Sequence, residues 1–201
     1  ETSMELTWSL ITLAAHLSQT IGLYRDSARW GLSAKMVQWR RILFWDIFVA
    51  EVWTSLDTGR PPTFSLAYID CSFSSYEDPK ARDGRAMATF RFAAECVAEV
   101  TSCTLTAEAP SYATIMELDC KVREFPPPPL DDVVRCGVGA NLQLCVLNHI
   151  STTSARLVSL MYIHRSFFAQ AIIEQPVNPL KSTYVPSFLA VYRASGTILE
   201  T

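Results

Sequence analysis

The chain has 201 residues, a formal net charge of −3 and 49% hydrophobic residues. This length suits one domain with a sizeable core, and this composition excludes an intrinsically disordered protein. Because acidic residues outnumber basic ones, the chain lacks the positive field that would draw it onto nucleic-acid phosphates. We therefore expect a single folded domain over residues 1–201 that does not bind DNA by itself. Since the sequence begins at Glu1, we expect it to be part of a longer protein.

The N-terminal segment predicts a helix with a broad buried face. Leucines recur at helical spacing at Leu6, Leu10, Leu13 and Leu17. A second apolar stripe runs beside them and consists of Met4, Trp8, Ile11 and Ala15. We expect both stripes to be buried.

A long central helix is the clearest element of the sequence. Ser33 is a suitable N-cap, Gly59 is a suitable terminator, and Pro61-Pro62 prevents continuation. Apolar residues lie on most sides between these signals, so we expect the helix to be buried. Residues 61–79 have no sustained period and are rich in proline, serine and aromatic residues, which is typical of an ordered loop.

Further helices follow along the rest of the chain. We expect one over Arg85–Leu105 and another that starts at Pro110 as a first-turn proline and stops at the prolines of 126–129. A long helix should cover about Asn141–Gln175, where the hydroxyl residues 151–154 could interrupt it, and a last one about Pro186–Leu199. No strand-like alternation with hairpin turns occurs. The sequence therefore predicts an all-α, irregular multi-helix bundle with ordered proline-rich loops.

Few residues suggest chemistry, and we expect no catalytic residue and no metal or other cofactor in this chain. His16 and His149 lie on helical stripes among leucine and isoleucine, where a structural histidine is more common than a catalytic one. Cys145 and His149 are four residues apart, but two ligands do not make a metal site. The six cysteines form no C-x-x-C pair, so we expect reduced, mostly buried thiols.

The sequence gives weaker support to two other classes of protein, a terpenoid-type enzyme and a membrane protein. Asp131-Asp132-Val133-Val134-Arg135 begins like the aspartate-rich motif of all-α terpenoid synthases. The cation at Arg135 opposes a divalent metal, and aspartates that open a helix explain the pair more simply. The most apolar stretches, 42–53 and 157–173, are interrupted by charged residues, so we expect core helices and no membrane span.

A specific resemblance lies in the central helix and the loop after it. The segment Arg40-Arg41-Ile42-Leu43-Phe44-Trp45, followed by Gly59-Arg60-Pro61-Pro62 and then Asp70, resembles the signature of the fungal transcription-factor regulatory domain, or middle homology region. The connection 18–26 resembles the same family, and 111–126 and 160–171 resemble its basidiomycete branch. We expect the signature residues to shape the fold, with Arg40 and Arg41 bonding carboxylates or loop carbonyls and Asp70 a candidate partner.

The resemblance implies a function for the parent protein. It implies a nuclear transcription regulator whose zinc binuclear cluster lies N-terminal to this piece and alone carries the zinc and reads DNA. The domain would then act through other domains of the same protein, through co-regulators, through a small-molecule effector or through a homodimer. An effector pocket could be lined by Trp45, Trp53, Tyr162 and His164, whereas a pure interaction scaffold would show a filled core and an exposed apolar patch.

Overall fold

The computed structural model describes residues 3–73, 84–126 and 140–200, with the backbone alone described at 84–87 and 140–152. All regular elements in these ranges are helices, which confirms the all-α prediction. The chain divides into two compact units, Glu1–Leu105 and Thr106–Thr201, and each is described by itself. The expectation of a single domain over the whole chain stays a prediction.

The first unit is built from four α-helices in the described residues. They are α1 (Ser3–Thr20), α2 (Ala34–Thr58), α3 (Gly84–Phe92) and α4 (Ala98–Thr104). A single π-helical segment, Ala93–Val97, joins α3 to α4, so together they match the one helix predicted for this region. Short 3-10 turns lie at Ser27–Trp30 and Leu66–Tyr68, in the connections before and after α2.

The ends of α2 are where the sequence predicts them. The backbone N–H of Met36 donates to Oγ of Ser33 at 3.3 Å, which satisfies one of the unpaired donors of the first turn. At the other end Gly59 has φ +70°, the left-handed conformation that closes a helix without a Cβ clash. The prediction that α2 is buried on most sides is wrong in part. Its side with Phe44 and Phe48 is buried, whereas Met36 and Leu43 are exposed.

The prediction for α1 is wrong for five of its eight apolar stripe residues. Among the second stripe, Ala15 is buried and Trp8 and Ile11 are half-buried, while Met4 is exposed. The four leucines are each 54–57% exposed. Within the described residues α1 packs mainly against α2, and one neighbouring helix can cover one face only. The small residues Ala15 and Ser18 lie on that face and allow a close approach.

The second unit contains three α-helices in its described part. They are α5 (Tyr112–Glu124), α6 (Ala140–Glu174) and α7 (Val185–Glu200), with a 3-10 turn at Pro179–Lys181. The long α6 packs against both α5 and α7. The core of this unit includes buried apolar residues from all three helices: Ile115, Leu118, Val122, Leu160, Ile163 and Ala194.

Two boundaries in the second unit differ from the prediction. The backbone of α6 passes through residues 151–154 without a break, because serine and threonine reduce helix propensity only slightly. Pro110 lies outside α5, not in its first turn. Ser111 is the N-cap instead, since its Oγ accepts the N–H of Thr114 at 3.2 Å. No helix of the described residues is long and apolar enough to span a bilayer.

Candidate functional site

The paired arginines of α2 fasten the connection between α1 and α2. Arg40 donates from Nη2 to the carbonyl of Ile21 at 2.9 Å, and its guanidinium lies 4.8 Å from the ring centroid of Trp30. Arg41 donates from Nη2 to both carboxylate oxygens of Asp26, at 2.7 and 2.9 Å. The arginines therefore bond a loop carbonyl and a carboxylate, but the carboxylate is Asp26.

The carboxylate of Asp26 accepts hydrogen bonds from residues before, within and after α2. Besides Arg41 it accepts the backbone N–H of Ala28 at 3.0 Å and that of Ser72 at 3.3 Å. Burial opposes ionisation of this carboxyl, but these donors together outweigh burial and hold its pKa far below the usual range. Asp70 accepts the N–H of Asp26 at 2.9 Å and pairs with Arg25 at 3.4 Å. The two aspartates thus tie the segments on either side of α2 together.

Phe44 and Trp45 lie in a closed aromatic cluster. Trp45 is 3% exposed and stacks on Phe73 with ring centroids 4.4 Å apart. Its Nε1 donates to the carbonyl of Ser72 at 3.3 Å, which satisfies its polar atom. The rings packed around Phe44 and Trp45 are Phe48, Phe64, Phe73 and Phe90. This core is filled by side chains.

The helix stop after α2 is held by a residue that the family signature does not contain. Glu51 is 2% exposed, and its carboxylate accepts the N–H of Thr63 at 2.6 Å and that of Phe64 at 3.2 Å. These bonds fix the chain directly after Pro61 and Pro62. An acid between the apolar residues Ala50 and Val52 was the available sequence signal, because a buried carboxylate must find hydrogen-bond donors.

Arg60 connects the C-terminal end of α2 to the start of α1. Its guanidinium lies 4.6 Å from the ring centroid of Trp8 and 3.5 Å from Oε1 of Glu5. Because Arg40 reaches Ile21 at the opposite end, α1 and α2 form an antiparallel hairpin fastened at both ends.

The outward side of this hairpin carries the leucine face, which we define as Leu6, Leu10, Leu13 and Leu17. At 100° per residue the leucines point about 150° away from the residues that face α2. Four half-exposed leucines at consecutive turns form an apolar stripe on the surface. Such a stripe is the kind of surface that protein contacts use.

The second unit contains a buried chain of hydrogen bonds, the polar chain, formed by Asp119, His164 and Ser187. His164 is 1% exposed, with Nε2 at 2.9 Å from Oδ1 of Asp119 and Nδ1 at 2.9 Å from Oγ of Ser187. An ionised carboxylate only accepts, so Nε2 carries a hydrogen. Nδ1 forms its own hydrogen bond with the Ser187 hydroxyl. The polar chain therefore ties α5, α6 and α7 together.

Asp119 is ionised in this setting. Burial opposes its ionisation, but hydrogen bonds from His164 and from Nε of Arg123, the latter at 2.7 Å, outweigh burial and lower its pKa to about 2. Each carboxylate oxygen accepts one of these bonds. The same arrangement of serine, histidine and aspartate occurs in hydrolases, yet Ser187 is completely buried and its hydroxyl does not face solvent.

A cleft of about 560 Å³ opens beside the polar chain, between α5, α6 and α7. Asp119 and His164 lie in its wall, and Arg123 and Arg193 add two guanidiniums. The remaining wall is mainly apolar and includes Met116, Leu157, Leu160, Val185, Leu189 and Ala190.

The residues predicted for an effector pocket are divided between the two units. Trp45 and Trp53 belong to the first unit, and Tyr162 and His164 to the second. Of these four, only His164 lines the cleft. Tyr162 is half-buried under Arg165, whose guanidinium lies 5.8 Å from its ring centroid. The four-residue pocket stays a prediction.

Several other candidates lie outside the residues whose side chains the structure describes: Asp131, Asp132, Cys136, Cys145 and His149. Over the described residues, no group of three or more potential metal ligands comes together. Cys71 and Cys96 are buried, whereas Cys120 is exposed. Burial is the main cause that raises the pKa of Cys71, to about 12, so this thiol stays protonated at neutral pH.

Residues 2–86 match the model of the fungal specific transcription factor domain, a stretch that lies within the first unit. An uncharacterized transcriptional regulatory protein of Schizosaccharomyces pombe is 30% identical over 90 residues, which are 42% of this chain and 12% of that protein. The lactose regulatory protein LAC9 of Kluyveromyces lactis is 41% identical over 54 residues, 27% of this chain and 6% of LAC9. A second regulatory protein of Schizosaccharomyces pombe is 36% identical over 64 residues, 32% of this chain and 11% of that protein.

These relatives are much longer than the aligned region, so the chain corresponds to a small part of each. No solved structure matches the chain. Similarity to proteins that regulate transcription weighs against an enzyme.

Proposed function

We propose that this regulatory domain of a fungal transcription factor, whose residues 2–86 belong to the fungal specific transcription factor domain family, controls transcription through contacts made by the leucine face. The partner is another segment of the same, longer regulator. That regulator acts in the nucleus and reads DNA through a zinc binuclear cluster N-terminal to this chain. Zinc and DNA binding belong to that cluster, and no cofactor is expected in this chain.

The exposed leucine face is the observation that carries the proposal. Burying the exposed half of four leucine side chains would contribute roughly 3–6 kcal/mol. That is small for two independent proteins, which lose translational and rotational freedom when they associate. It suffices for two segments of one polypeptide, because a linker keeps them at millimolar effective concentration. An intramolecular contact is therefore favoured over a homodimer.

The face lies on a rigid support. The hairpin of α1 and α2 is fastened at both ends by Arg40 and Arg60, and α2 packs on the filled aromatic core. A contact at α1 would thus be transmitted to a stiff element. The filled core and the outward apolar stripe are the two features expected of an interaction scaffold.

A reporter experiment with the parent regulator tests this function. The double variant Leu10→Gln/Leu13→Gln should change reporter output at least about threefold. Burial of two polar amides should weaken the contact by more than about 1 kcal/mol. The matched control is Leu199→Gln, which changes an 87% exposed leucine of α7. Equal output from the double variant, the control and the original protein would refute the contact.

The same variants separate an intramolecular contact from a homodimer. Light scattering should give a monomer for the purified chain at micromolar concentration, before and after the leucine substitutions. A dimer that the double variant dissociates would instead show that the leucine face pairs two copies.

We infer that the polar chain braces three helices and does not catalyse hydrolysis, because a buried Ser187 cannot reach a substrate. The purified chain should hydrolyse p-nitrophenyl butyrate no faster than its Ser187→Ala variant does. Turnover that depends on Ser187 would make the chain a hydrolase. A rise in thermal midpoint with magnesium diphosphate alone would favour the terpenoid-type enzyme.

A further inference from the structure

The cleft of the second unit has the size and the wall of a small-molecule site. Its volume of about 560 Å³ lies in the range of about 300–1,000 Å³ that is typical of such sites. Met116 of α5, Leu157 of α6 and Leu189 of α7 form apolar walls on different helices. An apolar body could therefore contact all three helices at once.

The charged groups of the cleft determine whether an anionic or a cationic ligand is favoured. Asp119 is already satisfied, because one oxygen accepts from His164 and the other from Arg123. It offers little to a ligand cation. Arg123 uses Nε for that bond, which leaves its two terminal nitrogens for another acceptor. Two guanidiniums face one carboxylate in the cleft, so the positive charges outnumber the negative one.

Arg193 is the cation with an open position. It lines the cleft from α7. No ion pair joins it to any residue of the described ranges. A carboxylate at this guanidinium would accept two parallel hydrogen bonds, the geometry in which arginine binds carboxylates best. The polar chain behind the cleft holds α5 and α7 in register, so both arginines lie on fixed helices.

We propose that this cleft binds a small organic monocarboxylate with an apolar body, whose carboxylate pairs with Arg193 and the terminal nitrogens of Arg123. The apolar body lies against Met116, Leu157 and Leu189. The site differs from the predicted effector pocket in three of its four residues. Only the role of such a ligand as an effector rests on the proposed function, because binding is measured on the chain itself.

Calorimetric titration of the 201-residue chain tests the ligand class. The probes are 4-phenylbutyrate, hexanoate and octanoate, with 4-phenylbutan-1-ol, 4-phenylbutylamine and inorganic phosphate as matched comparisons. We expect 4-phenylbutyrate to bind and the alcohol to bind about tenfold or more weakly, because it lacks the charged hydrogen bonds. The amine and phosphate should not bind at millimolar concentration.

Variants then locate the site. Arg193→Gln should weaken 4-phenylbutyrate binding about tenfold or more, and Leu189→Trp should abolish it by filling the cleft. The control Arg165→Gln removes another exposed arginine of this unit and should leave the affinity unchanged. Each variant is first checked for an unchanged thermal midpoint without ligand.

Three outcomes would overturn the proposal. These are no binding of any of the three acids at millimolar concentration, equal binding of the acid and the alcohol, and an Arg193→Gln variant that binds like the control. None of them touches the reporter experiment on the leucine face, so the failure of one proposal can be told from the failure of the other.

Discussion

The two units solve the packing of their helices in opposite ways. The first unit fills its centre with aromatic rings around Trp45 and leaves leucines on its surface. The second unit places a charged polar chain among its helices and keeps a cleft beside it. One chain therefore combines an exposed apolar face over an aromatic core with a cleft of the size that small molecules occupy.

We expect the greatest loss of stability from a substitution in the aromatic core of the first unit. Trp45→Ala should lower the free energy of unfolding by about 3–5 kcal/mol, because it removes the ring stacked on Phe73 and leaves a cavity. Chemical denaturation followed by circular dichroism measures this loss. Trp39→Ala, at a 63% exposed tryptophan of the same helix, is the control and should change stability little. Similar losses in both variants would contradict a filled core around Trp45.

A smaller loss of stability is expected in the second unit when the pH is lowered and Asp119 becomes protonated. The folded-state pKa of Asp119 is about 2, below the ordinary value of 3.8. The carboxylate therefore contributes about 2 kcal/mol above pH 4, and this contribution is lost as the pH falls from about 4 through 2. Urea denaturation at pH 6 and at pH 2.5 measures the loss. The Asp119→Asn variant should lack this part of the pH dependence, and an identical slope in both proteins would show that the polar chain does not stabilise the unit.

The smallest effect is expected on the surface of the first unit. Leu10→Ser and Leu13→Ser should each lower the free energy of unfolding by about 1 kcal/mol, because each removes only the buried half of a leucine side chain. Thermal unfolding of the purified chain is the measurement. A loss near that of Trp45→Ala would mean that the leucine face belongs to the core of the chain.

The helices could be predicted well from local signals, since caps and stops act within a few residues. Ser33 and Gly59 bound α2 as expected, because a hydroxyl acceptor and a left-handed glycine satisfy the same backbone groups in any fold. Both apolar stripes of α1 were expected to be buried, but the leucine stripe is exposed. The sequence does not show how many neighbouring helices cover α1. It therefore cannot tell which of two apolar stripes is buried.

The cleft could not be predicted, because its groups come from distant parts of the chain. His164 meets Asp119 across 45 positions and Ser187 across 23. Local periodicity says nothing about such pairs. Only the ion pair of Asp119 with Arg123, four residues apart on α5, was visible in the sequence. The arginines of α2 are an intermediate case, since their bonding was expected and the identity of the carboxylate was not.

The buried carboxylate of Glu51 also bears on how the first unit folds. It binds backbone amides only 12 and 13 residues further along the chain. Closing so short a loop costs little chain entropy, and loops of about 10 residues close in roughly 10–100 ns. The stop after α2 can therefore form before any long-range contact exists, so the helix and its exit loop reach the rest of the unit as one preassembled piece.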